Sequence, residues 1–184
     1  MKSRAVFLDR DGVINRYPGD KLYVTRLSRF KFLPQAKRGV ALLTKAGFKV
    51  FVISNQAGVG RGVYSRKELD KITVYMSKEV EDAGGKLNAV HYCIHRPEEN
   101  CSCRKPKVGM IKLAISKHKE IDLKKSFFVG DTIRDVLTAK GAKLRSILVF
   151  SGKEKLKNRR NWEADPDYLC KNLYQAARLI LREI

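Results

Sequence analysis

Short apolar runs alternate along the chain with longer stretches whose apolar residues recur every three or four positions. RAVFLD (4–9) reads as a short buried strand, LPQAKRGVALLTKAG (33–47) as a helix closed by Gly47, and FKVFVISN (48–55) as a second strand. SRKELDKITVYMSKEVEDAG (65–84) predicts a helix with Ser65 as its N-cap and Glu68 placed for a capping box. The same alternation predicts an extended run over 88–95, a helix over 108–120, a strand over 125–131, a helix over 132–142 and a strand over 145–151. The last segment, 165–183, predicts a short extended piece followed by an amphipathic helix.

Strands separated by ten or more residues of helix pair in parallel through crossovers. The expected fold class is therefore α/β, a three-layer sandwich with a mostly parallel central sheet and helices on both faces. In such sheets the functional site lies beyond the carboxyl ends of the strands. The residues found there are Asp9 with Asp11, Ser54 with Asn55, and Asp131.

Composition narrows the picture. A length of 184 residues suits one domain, with candidate chemistry spanning 5–151, a cysteine-rich loop over 92–106, and a strand and helix over 165–184. No run approaches the roughly 20 apolar residues that a membrane span needs, and the N-terminus carries no signal-length apolar stretch. A cytoplasmic chain without a membrane partner is the expectation, and the absence of a heptad pattern favours a monomer. The net charge is +20, from 39 Lys and Arg against 19 Asp and Glu. Such a field attracts phosphorylated or polyanionic partners, although a basic surface spread over every helix is the simpler reading. The densest basic run, GKEKLKNRRN (152–161), reads as a solvated loop. It holds no aromatic platform for a single strand, which disfavours nucleic acid as the partner.

The chemistry concentrates in a few places. DRDG after the first strand sets Asp9 and Asp11 two apart before a glycine that permits a sharp turn. Asp131, with Asp135 one helical turn further on, closes a group of carboxylates suited to Mg²⁺, through the Asp11 backbone carbonyl as well as side chains. Taken singly, Asp-x-Asp-Gly is also a common turn, and an Asp after a strand is a common helix cap. ISNQAG offers Ser54, Asn55 and Gln56 to a phosphorylated ligand, and the GVGRG stretch after it offers backbone N–H groups. CRKPKVG offers Arg104 and Lys105. Cys93-x-His95, a gap of five, then Cys101-x-Cys103 supplies four ligands of the kind tetrahedral Zn²⁺ takes, with no position left open for catalysis. Cys170 stands apart as an ordinary buried thiol.

In this order, Asp9-x-Asp11-Gly12, Ser54, Lys105, and Gly130-Asp131 with Asp135 resemble the four motifs of the haloacid dehalogenase superfamily of phosphohydrolases. The resemblance covers Ala5 to about Gly152. It implies Asp9 as nucleophile, Asp11 as general acid and base, Mg²⁺ on Asp9, Asp11 and Asp131, Ser54 and Lys105 on the phosphoryl oxygens, and Asp135 orienting Lys105 or a metal-bound water. It also implies Asn55, Gln56 and Arg104 as further substrate contacts. No cap domain is expected, because the gaps after Gly12 and after Gln56 hold only loops and one helix. The zinc loop leading into Arg104-Lys105-Pro106 is similar to the branch of that family acting on heptose bisphosphates or histidinol phosphate, and a small phosphorylated substrate is the expected partner. Nucleic-acid 3'-phosphatases share the catalytic aspartates and the SNQ and GRG elements but not the zinc loop.

Overall fold

The computed structural model describes residues 2–183, so Met1 and Ile184, the ends of the expected domain, lie outside it. Six strands form one sheet: β1 (Ala5–Leu8), β2 (Lys49–Asn55), β3 (Ala89–Cys93), β4 (Phe127–Gly130), β5 (Arg145–Val149) and β6 (Tyr168–Cys170). Their order is β3-β2-β1-β4-β5-β6, and every pairing is parallel. The helices are α1 (Ala36–Lys45), α2 (Ala57–Gly60), α3 (Arg66–Asp82), α4 (Gly109–Ser116), α5 (Ile133–Gly141) and α6 (Leu173–Ile180).

The strands read as nearly continuous apolar runs because both faces of the sheet are covered. Alternate residues go opposite ways. Val6, Leu8, Val50, Val52, Phe127 and Val129 pack with α1, α3 and α6, whereas Ala5, Phe7, Phe51, Ile53 and Phe128 pack with α4 and α5. Phe7 stacks on Phe51 with ring centroids 5.3 Å apart. Each such fully buried side chain contributes about 1.5–3 kcal/mol by leaving water.

The helix ends follow local chemistry. Ser65 Oγ accepts the Glu68 N–H at 3.1 Å and so starts α3 where its cap was expected. Gln35 adopts a left-handed conformation (φ 61), so α1 begins at Ala36 rather than at Leu33. The helix expected over 108–120 stops at Ser116. The basic run read as a solvated loop contains a 3₁₀ helix, Leu156–Asn161. None of the described helices is long and apolar enough to cross a membrane.

The order of the strands sets the place of the site. From β1 the chain continues to β2 on one side, while β4 lies on the other, which makes the carboxyl end of β1 a topological switch point. The ends of β1, β2 and β4 therefore present Asp9, Ser54 and Asp131 to a common opening.

Candidate active site

That opening is a cleft of about 670 Å³ whose lining includes Asp9, Asp11, Ser54, Asn55, Lys105 and Asp131. One wall is the segment 17–23, and Arg61, Arg104, Arg134 and Lys153 stand around the rest. The space between Gly12 and α1 holds only loops and a 3₁₀ turn, so no separate domain covers the cleft on that side.

Asp9 continues β1, its N–H donating to the Val129 carbonyl of β4 at 3.0 Å. Its Oδ1 accepts the Arg10 N–H at 2.7 Å, and its Oδ2 lies 2.9 Å from Lys105 Nζ. Lys105 is buried, 3% exposed, and its ammonium also donates to Asp135 Oδ1 at 2.6 Å. Asp135 belongs to the first turn of α5, where its Oδ2 accepts from the N–H (3.1 Å) and hydroxyl (2.7 Å) of Thr132. One carboxylate thus caps a helix with one oxygen and fixes a lysine with the other.

Asn55 explains how a lysine from a distant loop reaches this point. Its Oδ1 accepts the Lys105 N–H at 3.1 Å, and its Nδ2 donates to the Lys105 carbonyl at 3.2 Å. The side chain reads the loop's backbone on both sides, so in this structure Asn55 is spent on positioning Lys105.

Carboxylate oxygens of Asp9, Asp131 and Asp135 lie within 4.8 Å of one another. Burial pushes the Asp9 carboxyl up to about 6; Lys105 pulls it down and Asp135 pushes it up. Burial also holds Asp131 well above the ordinary carboxylate range, with the charges of Asp9 and Asp135 adding to it. For Lys105, burial alone would favour the neutral amine, but Asp135 and Asp9 outweigh it and keep the ammonium charged. One lysine is insufficient for three buried acids. The surplus of negative charge, on hard oxygen donors, fits a divalent cation such as Mg²⁺.

The expected cation set was the Asp9 carboxylate, the Asp11 backbone carbonyl and Asp131. The Asp11 carboxylate turns toward Arg10, Asn15 and Gln56, which is compatible with that use of its carbonyl, and the third carboxylate of the trio is Asp135. Gln56 also departs from the expectation that it touches substrate. It is fully buried, and its amide is used by Asp11, Ser54, Arg10 and Tyr64. In the glycine-rich stretch after it, expected to offer N–H groups to an anion, the N–H groups of Val59, Arg61 and Gly62 bond to backbone carbonyls, and two of the glycines serve close packing. A Cβ at Gly58 would lie 2.5 Å from the Tyr64 ring, and one at Gly60 would lie 2.4 Å from the Ile94 carbonyl oxygen.

Two features escaped the sequence. Gly152 follows β5 so closely that a Cβ there would sit 2.0 Å from Asp131 Oδ2, and the next residue's N–H, Lys153, donates to that same oxygen at 2.8 Å. Arg10, between the two aspartates, is fully buried. A period of two along an extended strand end does predict that Arg10 points away from the face shared by Asp9 and Asp11, and this was the available signal.

Behind the cleft, Cys93, His95, Cys101 and Cys103 form a second cluster. Separations are 3.5 Å for Cys93–Cys101, 3.4 Å for Cys103–Cys101, 3.7 Å for Cys93 Sγ–His95 Nδ1 and 3.2 Å for His95 Nδ1–Cys103 Sγ. Sulfurs about 2.3 Å from a tetrahedral zinc lie about 3.8 Å apart, and a histidine nitrogen at about 2.0–2.1 Å shortens its edges to about 3.6 Å, so these donors fit Zn²⁺ with modest expansion. Burial pushes the Cys93 thiol up to about 12, whereas against burial, hydrogen bonds with Cys103 and Cys93 bring Cys101 down to about 7. A cation among the sulfurs is therefore needed above all to make Cys93 a thiolate. Arg104 and Lys105 follow Cys103 directly, which ties the cluster to the wall of the cleft. Cys170 is a free, buried thiol outside both clusters.

An acidic trio with a buried lysine, at the switch point of a parallel α/β sheet and ringed by cations, defines a hydrolase site of the haloacid dehalogenase type. The HAD-hydrolase-like family model matches residues 102–176. The chain belongs to the haloacid dehalogenase-like hydrolases. Within them it is similar to curated proteins named D-glycero-beta-D-manno-heptose-1,7-bisphosphate 7-phosphatase. The protein from Helicobacter pylori strain J99 is 36% identical over 93% of both chains, and that from Pseudomonas putida 39% identical over 82% of this chain and 84% of the relative. The crystal structure of D,D-heptose 1,7-bisphosphate phosphatase from B. bronchiseptica, complexed with magnesium and phosphate, superposes with a TM-score of 0.86 at 31% identity, covering 98% of this chain and 99% of the other.

Proposed function

We propose that the chain is a phosphomonoester hydrolase that removes the 7-phosphate of D-glycero-D-manno-heptose 1,7-bisphosphate through an aspartyl-phosphate intermediate. The observation that carries this reading is the convergence of Asp9, Lys105 and Asp131 at the strand ends. The shared name of relatives that match most of the chain supports the substrate.

The Asp9 carboxylate attacks phosphorus as the ester P–O bond breaks, so one difficult displacement becomes two easier ones. Asp11 gives its proton to the departing oxygen and then takes one from the water that releases phosphate and restores Asp9. Lys105 has three N–H donors, of which Asp9 and Asp135 occupy two. The third is available to a phosphoryl oxygen, alongside the Ser54 hydroxyl. Arg104, at the rim, faces the rest of the substrate and is suited to its second phosphate. Asp9, Asp131 and the Asp11 backbone carbonyl would hold Mg²⁺, which would supply the positive charge that lets carboxylates and a phosphate share one site. Cys93, His95, Cys101 and Cys103 would hold a structural Zn²⁺, which would fix the loop that delivers Arg104 and Lys105.

The test is phosphate release with Mg²⁺ from both anomers of the heptose bisphosphate, from histidinol phosphate and from an oligonucleotide 3'-phosphate, with Asp9→Asn as control. The highest kcat/KM is expected on a heptose bisphosphate and is lost in Asp9→Asn. A higher value on either other substrate would reassign the pocket. Retention of activity by Asp9→Asn would remove the covalent mechanism.

A further inference from the structure

Beneath the cleft lies a polar network that the mechanism above leaves without a role. Arg10 is fully buried beside the sheet, its guanidinium 5.8 Å from the Tyr92 ring centre. Its Nη2 donates to both oxygens of Asp11 at 3.0 Å, and its Nε donates to Oδ1 at 3.2 Å. Asn15 adds a bond to Oδ1 at 2.8 Å and Gln56 one to Oδ2 at 2.8 Å. A side chain that is still 19% exposed on the cleft thus has both oxygens held from within.

The orientation of the Gln56 amide is forced by its surroundings. Its Oε1 accepts from the Tyr64 hydroxyl at 2.6 Å and from Arg10 Nη2 at 3.2 Å, while its Nε2 donates to Asp11 Oδ2 and, at 3.2 Å, to Ser54 Oγ. A flipped amide would set oxygen against carboxylate and N–H₂ against a guanidinium. The hydroxyl of Tyr64, a residue only 7% exposed, donates to Gln56 Oε1 and so secures the amide in its working sense. Ser54 and Asp11, one on β2 and the other after β1, are thereby fixed relative to each other through a single buried side chain.

We propose that Arg10, Gln56 and Tyr64 are positioning residues that aim the Asp11 carboxyl at the leaving oxygen. The inference rests on Asp11 being the general acid of the reading above. When the proton passes from Asp11 to the ester oxygen and the P–O bond breaks, the carboxylate left behind is the species this network is built to receive. Orientation of this kind matters in proportion to how much the leaving group needs a proton. Nitrophenolate departs unaided; a sugar alkoxide does not.

The measurement is the rate of alcohol release in the first turnover, before hydrolysis of the aspartyl-phosphate intervenes, on p-nitrophenyl, phenyl and glycerol phosphates. Tyr64→Phe removes one hydroxyl from a packed ring, and Gln56→Met keeps the volume while removing both polar ends. Both variants are expected to steepen the decline of rate with leaving-group basicity. The loss with glycerol phosphate should be on the order of tenfold for Tyr64→Phe and larger for Gln56→Met, within the range of general acid catalysis as a whole. A purely structural role lowers every rate by one factor and leaves the slope as in the wild type, and that outcome overturns the proposal, as does a slope and rate unchanged in both variants. If the wild-type protein releases phosphate neither from the three esters nor from the heptose bisphosphate, the phosphatase reading falls first, and the two failures are told apart.

Discussion

Replacing Lys105 by methionine tests the electrostatic account of the site most directly. The side chain is 2% exposed, and its ammonium lies 2.9 Å from one carboxylate and 2.6 Å from another. At an effective dielectric of about 20, each contact is worth roughly 6 kcal/mol before the cost of burying the charge is counted. That cost is several kcal/mol per ion, and removing one partner of a buried pair typically destabilises by about 3–5 kcal/mol. For a chain of this size the melting temperature, measured in chelator at pH 8, should fall by roughly 6–20 °C. Two controls sharpen the reasoning. Asp9 can take up a proton near pH 6, so the penalty should shrink at pH 5. A divalent cation replaces part of the missing charge, so saturating Mg²⁺ should narrow the gap at pH 8. A Lys105→Met melting point within about 2 °C of wild type in chelator, or a gap that Mg²⁺ leaves unchanged, would refute the reasoning.

In chelator the wild-type protein should lose stability relative to Asp9→Asn as pH rises. The folded-state value of about 6 exceeds the ordinary aspartate value of 3.8, so Asp9's contribution is complete below about 4 and gone above 6. Melts in which wild type instead gains on Asp9→Asn across that window would show the sign to be wrong. Gly152→Ala places a methyl carbon 2.0 Å from Asp131 Oδ2, so the carboxylate must move. Stability should drop by about 1–3 kcal/mol and the midpoint of a Mg²⁺ titration should rise by about tenfold or more; an unchanged midpoint would mean that Asp131 does not hold the metal. Cys103→Ser should abolish the single bound zinc seen by metal analysis and lower kcat/KM by about tenfold or more through Lys105. Stoichiometric zinc in the variant would sink the four-ligand assignment.

The sheet was legible in the sequence because its strands are buried on both faces. Such strands must be continuous apolar runs, and the helices between them must carry an apolar stripe, so order and type of element are written locally. The acidic residues at the strand ends were legible for the same reason, since the end of a buried strand is where polar chemistry can first meet water. The four candidate ligands of the cysteine-rich loop show in their spacing alone.

What the sequence could not decide is which way each polar side chain turns once the ends of β1, β2 and β4 are brought together. Asn55 and Gln56 are neighbours of similar chemistry. Tertiary contact sends Asn55 to the backbone of Lys105 and buries Gln56 between Asp11, Arg10 and Tyr64. The glycines at 58 and 60, read as an anion loop, serve close packing against Tyr64 and Ile94. Gly152 and Lys153 enter the site only because β5 ends beside β4, which a parallel register between strands distant in sequence determines. Local pattern sets what each segment is. Long-range packing, in which every buried donor must find its acceptor, sets what each polar residue does.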